Sequence, residues 1–228
     1  MAVITITGHM GAGENLLAPK IAEKLGYQYV DRTIFEEVLK EYGIVNFKEV
    51  LDTPLHFLDR LAGEKRNTAD LLNKMYLIFA KGNNIVLQSR RAFLVLESFV
   101  NVLNVFLKAP KTIRIQNLVS WEQIGERSAS EKIQKEEHTR KKIIESFYKK
   151  KWDSFSPWTL VLNTHKLGFE LSEKFILEAN SQVATCDEVY GWQDGFPSID
   201  TIEIDPILEK AVNKALVNKQ ALAPGKEK

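Results

Sequence analysis

The sequence predicts an α/β protein, a parallel sheet with helices on both faces. Three observations carry that expectation. Val3, Ile4, Thr5, Ile6 and Thr7 form a β-branched run suited to a short buried strand. That strand meets the glycine-rich stretch Gly8–Gly13, and Leu17, Ile21 and Leu25 then recur at i, i+4 and i+8, one face of a helix. Further apolar runs at Ile85–Gln88, Val102–Leu107 and Thr159–Leu162 are separated by stretches of helical periodicity, and parallel neighbours need crossovers of that kind.

Composition narrows the class. A chain of 228 residues with 44% hydrophobic and 27% charged residues matches a globular domain, or one domain with a small appendage. The net charge of +1 gives no global field for nucleic acid or a membrane surface, and neither is expected as a partner. Cys186 is the one cysteine, so no internal disulfide framework exists and a reducing cytoplasm is the expected location. The opening apolar run lacks a basic flank and ends at Gly8, which reads as a strand and not as a leader.

In chain order, the first helix spans about Gly13 to Leu25 and stops at Gly26, with Pro19 inside it as a source of irregularity. Tyr27–Val30 is a second strand, closed by Asp31-Arg32. From Thr33 to Lys81 the pattern is helical, with stripes at Ile34, Val38, Leu39, at Leu55, Leu58, Leu61, and at Leu71, Leu72, Met75, Tyr76, Phe79. Asp52-Thr53-Pro54 marks a break and a fresh helix start. The third strand, Ile85–Gln88, leads into Ser89-Arg90-Arg91 and a short helix with Phe93, Leu94, Leu96 and Phe99. After the fourth strand, Val102–Leu107, helices are expected from Ile113 to about Gly125 and from Ser130, as a cap, to Lys150. Thr159–Leu162 is the last core strand, followed by a helix near Phe169–Asn180. Ser198–Ile204 reads as an edge strand, and Pro206–Val217 as an amphipathic helix turning Ile207, Leu208, Ala211, Ala215 and Leu216 inward. The tail is open between a small subdomain and an element joining two copies of the chain.

Strand, glycine loop and helix N-terminus together are what a phosphate-binding loop requires, because small residues let backbone N–H groups approach phosphate oxygens. The spacing Gly8-x4-Gly13 has the frame of the Walker A motif, yet Glu14 stands in the lysine position and Asn15 in the Ser/Thr position. The alternative is a tight βα turn with glycines for geometry alone.

Four blocks carry a resemblance. ITITGHMGAG…IAEKLGYQYVDR, GNNIVLQSRRAFLVL (Gly82–Leu96), VFLKAPKTIRI (Val105–Ile115), and the stretch with Glu137, Arg140, Trp152-Asp153 and LVLNT (Leu160–Thr164) together resemble the cytidylate kinase-like family of P-loop nucleoside monophosphate kinases, over about residues 2–180. The resemblance implies a three-layer α/β/α fold with a five-stranded parallel sheet in the order 2-3-1-4-5. It also implies a domain over 1–182 with a helical monophosphate-binding insertion at about 33–81 and a lid at about 120–155, leaving 183–228 as an extension. The implied reaction is phosphoryl transfer from ATP, with Mg²⁺, to a nucleoside monophosphate such as CMP or dCMP. Nucleotide phosphates would lie on Gly8, His9, Met10, Gly11, Ala12, Gly13, Glu14 and Asn15. The acceptor would lie against Asp31, Arg32 and Arg90, with Arg90, Arg140 and Lys142 as the cations of catalysis. The departure is in the loop: family members carry a glycine near position 14 and a basic residue near 15, and here both positions are non-basic. A rival reading is therefore a nucleotide-binding regulatory or structural protein that has lost catalysis.

Individually, Arg90 and Arg32 are either ligand grips or surface ion pairs, and Asp31 is either a ligand contact or an N-cap. Arg114 opposes the dipole in the first turn of its helix, which favours a structural or nucleotide-contacting role. Lys132–Lys151 carries eight Lys/Arg against three Glu, a solvated face or the cationic underside of a lid. Trp158 reads as a packing residue.

Overall fold

The computed structural model describes residues 2–43, 68–82, 84–148, 157–190, 199 and 202–222. Residues 44–67 of the expected insertion, with Leu55, Leu58, Leu61 and Asp52-Thr53-Pro54, lie outside them, as do 149–156 of the expected lid with Trp152-Asp153. The strands are β1 (Val3–Gly8), β2 (Gln28–Val30), β3 (Ile85–Gln88), β4 (Val102–Lys108) and β5 (Leu160–Asn163). They form one parallel sheet in the order β2-β3-β1-β4-β5. Val3 sits opposite both Ile85 and Val102, and Gly8 opposite Leu107, so β1 is central and the glycine loop leaves from its C-terminal end.

Both faces of the sheet are covered, which is why its strands are apolar at almost every position. On one face Val3, Ile85 and Leu87 pack with α2 (Arg32–Glu41), α3 (Thr68–Lys81) and α8 (Pro206–Leu222). On the other, Ile4, Ile6, Val86, Leu103 and Val105 pack with Leu17, Ala18 and Ile21 of α1 (Glu14–Leu25) and Ile176 of α7 (Thr164–Tyr190). Adjacent strand residues fall into opposite clusters because side chains alternate across a strand. Pro19 is accommodated inside α1, and α7 is interrupted at Gly168 (φ 71°, ψ 168°), so its long run begins at Phe169 as expected. Trp158 packs on Phe93 of α4 (Ala92–Leu96) and on Phe106, with ring centroids at 4.2 and 4.7 Å.

Several boundaries move. The helix after β4, α5 (Lys111–Glu122), starts and ends earlier than expected, closing on Gln123 in the left-handed region (φ 55°). The next, α6, runs from Glu126 to Tyr148, so Ser130 lies within the helix and caps nothing. Ile202–Ile204 form no strand; Ile202 and Ile204 instead pack on the first cluster, and the Ile202 carbonyl accepts from Lys81 Nζ at 3.0 Å. In α8 the buried stripe is Leu208, Ala211, Val212 and Ala215, the i, i+3, i+4, i+7 set, whereas Ile207 is 71% exposed. One step of about 100° around a helix separates Ile207 from the stripe. Asp205 caps α8 by accepting from the Ile207 and Leu208 N–H groups at 2.9 and 3.3 Å. Lys214 reaches Glu41 of α2 at 2.6 Å, so the described part of the tail is seated on α2 and α3.

Candidate functional site

The loop between β1 and α1 is shaped by three close approaches. A Cβ at Gly8 would stand 2.6 Å from the Leu107 carbonyl oxygen on β4. One at Gly11, already at φ +84°, would stand 2.7 Å from the Arg114 carbonyl oxygen, and one at Gly13 (φ +103°) would meet the Phe169 ring. The loop is then tied down from outside. His9 N–H donates to the Leu107 carbonyl at 2.9 Å, Asn117 Nδ2 to the Gly11 carbonyl at 2.9 Å, and Thr164 Oγ1 to the Ala12 carbonyl at 2.8 Å. Arg114 donates to the Met10 and Ala109 carbonyls and to Glu137 Oε1, and Arg140 Nη1 donates to the Gly8 carbonyl. A trans peptide points its N–H opposite to its C=O. With the Met10 and Ala12 carbonyls held outward, the Gly11 and Gly13 N–H groups turn to the inside of the loop at the N-terminus of α1, while the Ala12 N–H donates to the His9 carbonyl at 2.8 Å.

The first turn of α1 places Glu14 against this inner surface. Its Oε2 is closed off from solvent and has no hydrogen-bond partner, while the N–H groups of Glu14 and Gly13 are directed at the carboxyl. Burial pushes the Glu14 carboxyl above the ordinary carboxylate value, against the pull of those two N–H groups and of Arg140. Arg140 is itself buried, and desolvation draws it below its usual value while Glu136 and Glu14 act the other way. Glu136, one turn before Arg140, is gripped by Arg90 through Nε and Nη2 and lies 3.8 Å from Arg140 Nη2. His9 is held down to about 4, by burial first and then by Arg114 and Arg140, so it is neutral near pH 7 and adds no cation to the loop.

A cleft of about 630 Å³ opens over the loop, lined among others by Met10, Gly11, Glu14, Asn15, Asp31, Arg32, Arg90 and Arg140. Of the charged residues singled out in the sequence it brings together Glu14, Asp31, Arg32, Arg90 and Arg140, while Arg114 and Lys142 are not part of its lining. Asp31 caps α2, its Oδ1 accepting from Thr33 and Ile34 N–H at 3.0 and 3.3 Å, and it also faces the cleft. Arg32 lines the cleft and pairs with Glu36 at 2.8 Å. Lys142 is exposed on α6, two residues beyond Arg140 and so on another side of the helix.

Other residues escaped the sequence reading. Glu136 faces Arg90 and Arg140, whereas its neighbour Glu137 pairs with Arg114 at 2.8 Å. Asn15 Oδ1 accepts from Gln88 Nε2, and Gln88 Oε1 accepts from the Tyr29 hydroxyl, a chain from the loop across β3 to β2. Burial, and then the Asp31 charge, raise Tyr29, so it stays a hydroxyl at neutral pH. A polar residue at the C-terminal end of an apolar strand was the available signal for Gln88, since ligands of open α/β sheets bind there. Tyr76 and Ser89 share a hydrogen bond of 2.6 Å at the same edge.

Comparison with known proteins follows the same lines. The model of the cytidylate kinase-like family matches residues 3–166. A cytidylate kinase of Methanocaldococcus jannaschii is 28% identical over 171 residues, covering 74% of this chain and 91% of that one. A cytidylate kinase of Saccharolobus islandicus is 24% identical over 185 residues, with 80% and 92% covered. Among solved structures, an uncharacterized protein from Eubacterium ventriosum superposes with a TM-score of 0.62 at 18% identity, over 79% of this chain and 98% of that one, a likeness of fold.

Proposed function

The chain belongs to the cytidylate kinase-like family, and from that premise we propose that it transfers the γ-phosphoryl group of ATP to a nucleoside monophosphate, CMP or dCMP foremost. The observation that carries this reading is the buried Arg140 bound to the Gly8 carbonyl at the root of an inward-facing N–H loop, with Arg90 linked to it through Glu136. Donor phosphates rest on the loop N–H groups and the α1 N-terminus. The acceptor phosphate lies between Arg90 and Arg32, at the ends of β3 and β2. An acceptor phosphate oxygen attacks the γ-phosphorus as the bond to the β,γ-bridging oxygen breaks and ADP departs. The protein's share is to hold both phosphates in line and to meet their charge with fixed cations.

Mg²⁺ would supply further neutralisation of the β- and γ-oxygens. Among the described residues no group of three or more His, Cys, Asp or Glu side chains forms a metal-binding set. No step above depends on the ion. Among the described residues no helix is long and apolar enough to cross a membrane.

Glu14 inside the loop favours one rival, a nucleotide-binding protein without turnover. An ADP-release assay over a panel of NMPs and dNMPs, with and without Mg²⁺, separates the two when run beside titration calorimetry. NMP-dependent ADP release supports the kinase. Nucleotide binding with no release for any acceptor supports the rival, and no nucleotide binding at all overturns both.

A further inference from the structure

The loop poses a charge problem that the reading above leaves open. A phosphate seated on its N–H groups arrives at the surface where the Glu14 carboxyl already sits, and two anions at such range repel strongly away from bulk water. Glu14, with Asn15, is where this chain departs from the frame of a phosphate loop, and it is the charged one of the two. It is not turned away to solvent: Oε2 is enclosed and without a hydrogen-bond partner, and the Gly13 and Glu14 N–H groups are directed at the carboxyl. A carboxyl oxygen enclosed with no donor facing it takes up a proton more readily than an exposed one.

Resting on the proposed phosphate site, we propose that Glu14 takes part in phosphate binding as a neutral carboxylic acid, so that each nucleotide seated on the loop is accompanied by uptake of one proton from solvent onto Glu14. The carboxylate accepts the proton on one oxygen, the repulsion disappears, and the new O–H donates to a phosphate oxygen. A protonated side chain thereby fills the place where the usual loop has a lysine.

The surroundings allow this. From α6, Arg140 favours the ionised form and Glu136 opposes it. Arg90, at the end of β3, is engaged with Glu136. Across the cleft stand Asp31 and Arg32 from the β2–α2 junction and Glu122 from α5. Burial outweighs Arg140 and leaves the carboxyl above its ordinary value of 4.5 even without ligand. Adding phosphate charge pushes it further in the same direction.

The test uses the full chain with ADP, and separately inorganic pyrophosphate, in Mg²⁺-free buffer. Calorimetric titrations at one pH in three buffers of different ionisation enthalpy give the number of protons exchanged per ligand bound. The isosteric variant Glu14→Gln is measured alongside, so that the ligand's own titration cancels. The expected result is about one more proton taken up by the parent than by Glu14→Gln. The parent's affinity should fall roughly tenfold per pH unit above neutrality relative to a flatter profile for the variant. Equal proton exchange in the two proteins, with binding intact, overturns the proposal and leaves the phosphate site standing. Loss of binding in both proteins, each still folded by its thermal melt, overturns the phosphate-loop reading and the proton uptake with it.

Discussion

Arg140→Ala removes the guanidinium on which the loop and its carboxylates converge. Three interactions go at once: the charged hydrogen bond to the Gly8 carbonyl, the approach to Glu136, and the field that favours the Glu14 anion. A hydrogen bond from a charged donor contributes about 1.5–3 kcal/mol. Removing one partner from a buried charged set costs about 3–5 kcal/mol, because the other charges stay buried. Glu136 keeps Arg90, which places the expected loss at about 3–4 kcal/mol, a fall in Tm of roughly 6–16 °C for a chain of this size. Urea unfolding followed by circular dichroism measures it. The decisive quantity is the coupling to Glu14. In the Arg140→Ala background Glu14→Gln removes a carboxyl that has lost its cation, so the double variant should recover at least about 1 kcal/mol relative to the sum of the singles. Additivity within about 0.5 kcal/mol would refute the claim that Arg140 and Glu14 share one electrostatic site.

Gly11→Ala combines left-handed strain of about 1–2 kcal/mol with a Cβ 2.7 Å from the Arg114 carbonyl oxygen. A loss of at least about 2 kcal/mol is expected, with weaker nucleotide binding, and a change under about 0.5 kcal/mol in the urea midpoint analysis would contradict the loop geometry. Glu173 of α7 is buried, which by itself raises its carboxyl, but the ammonium groups of Lys20 and Lys24 of α1, paired with it, outweigh burial and hold it below 4.5. Its folded value is depressed, so its contribution is present above the ordinary carboxylate range and is lost as pH falls through the depressed value. Thermal melts from pH 7 to 3 should accordingly show a shallower acid decline for Glu173→Gln than for the parent. Lys142→Ala, on the exposed side of α6, should leave stability within about 0.5 kcal/mol and leave any ADP release unchanged, whereas Arg90→Ala should lower that release. If α6 closes over bound nucleotide as a lid, its amide exchange should slow on adding ATP with CMP; exchange as slow as in β1 without ligand would count against closure.

The sheet was legible in the sequence because each strand is an apolar run wedged between helical patterns, and burial on both faces leaves few alternatives for such a segment. The glycine loop was legible from Gly8, Gly11 and Gly13, whose spacing reports backbone geometry directly. Helix ends were less legible: Ser130 offers a cap and α6 starts before it, since packing of Ala129 and Ile133 decides where the helix begins. Ile207 is apolar and adjacent to the buried stripe, and only the docking of α8 on α2 and α3 leaves it in water. The site depended on tertiary structure in the same way. Asp31 carried its capping signal locally, within three residues. The lysine-rich run of α6 offered both Arg140 and Lys142, Arg140 ahead, and helix rotation separates them: one is bound to the Gly8 carbonyl, 132 positions away in the chain, and the other is in solvent. Glu136 and Glu137 are likewise chemically identical neighbours, and their division between Arg90 and Arg114 comes from the opposing surfaces they meet. Periodicity along a chain reports which face of an element is apolar; which charges meet, and how far water is excluded from them, is set when distant elements close on one another.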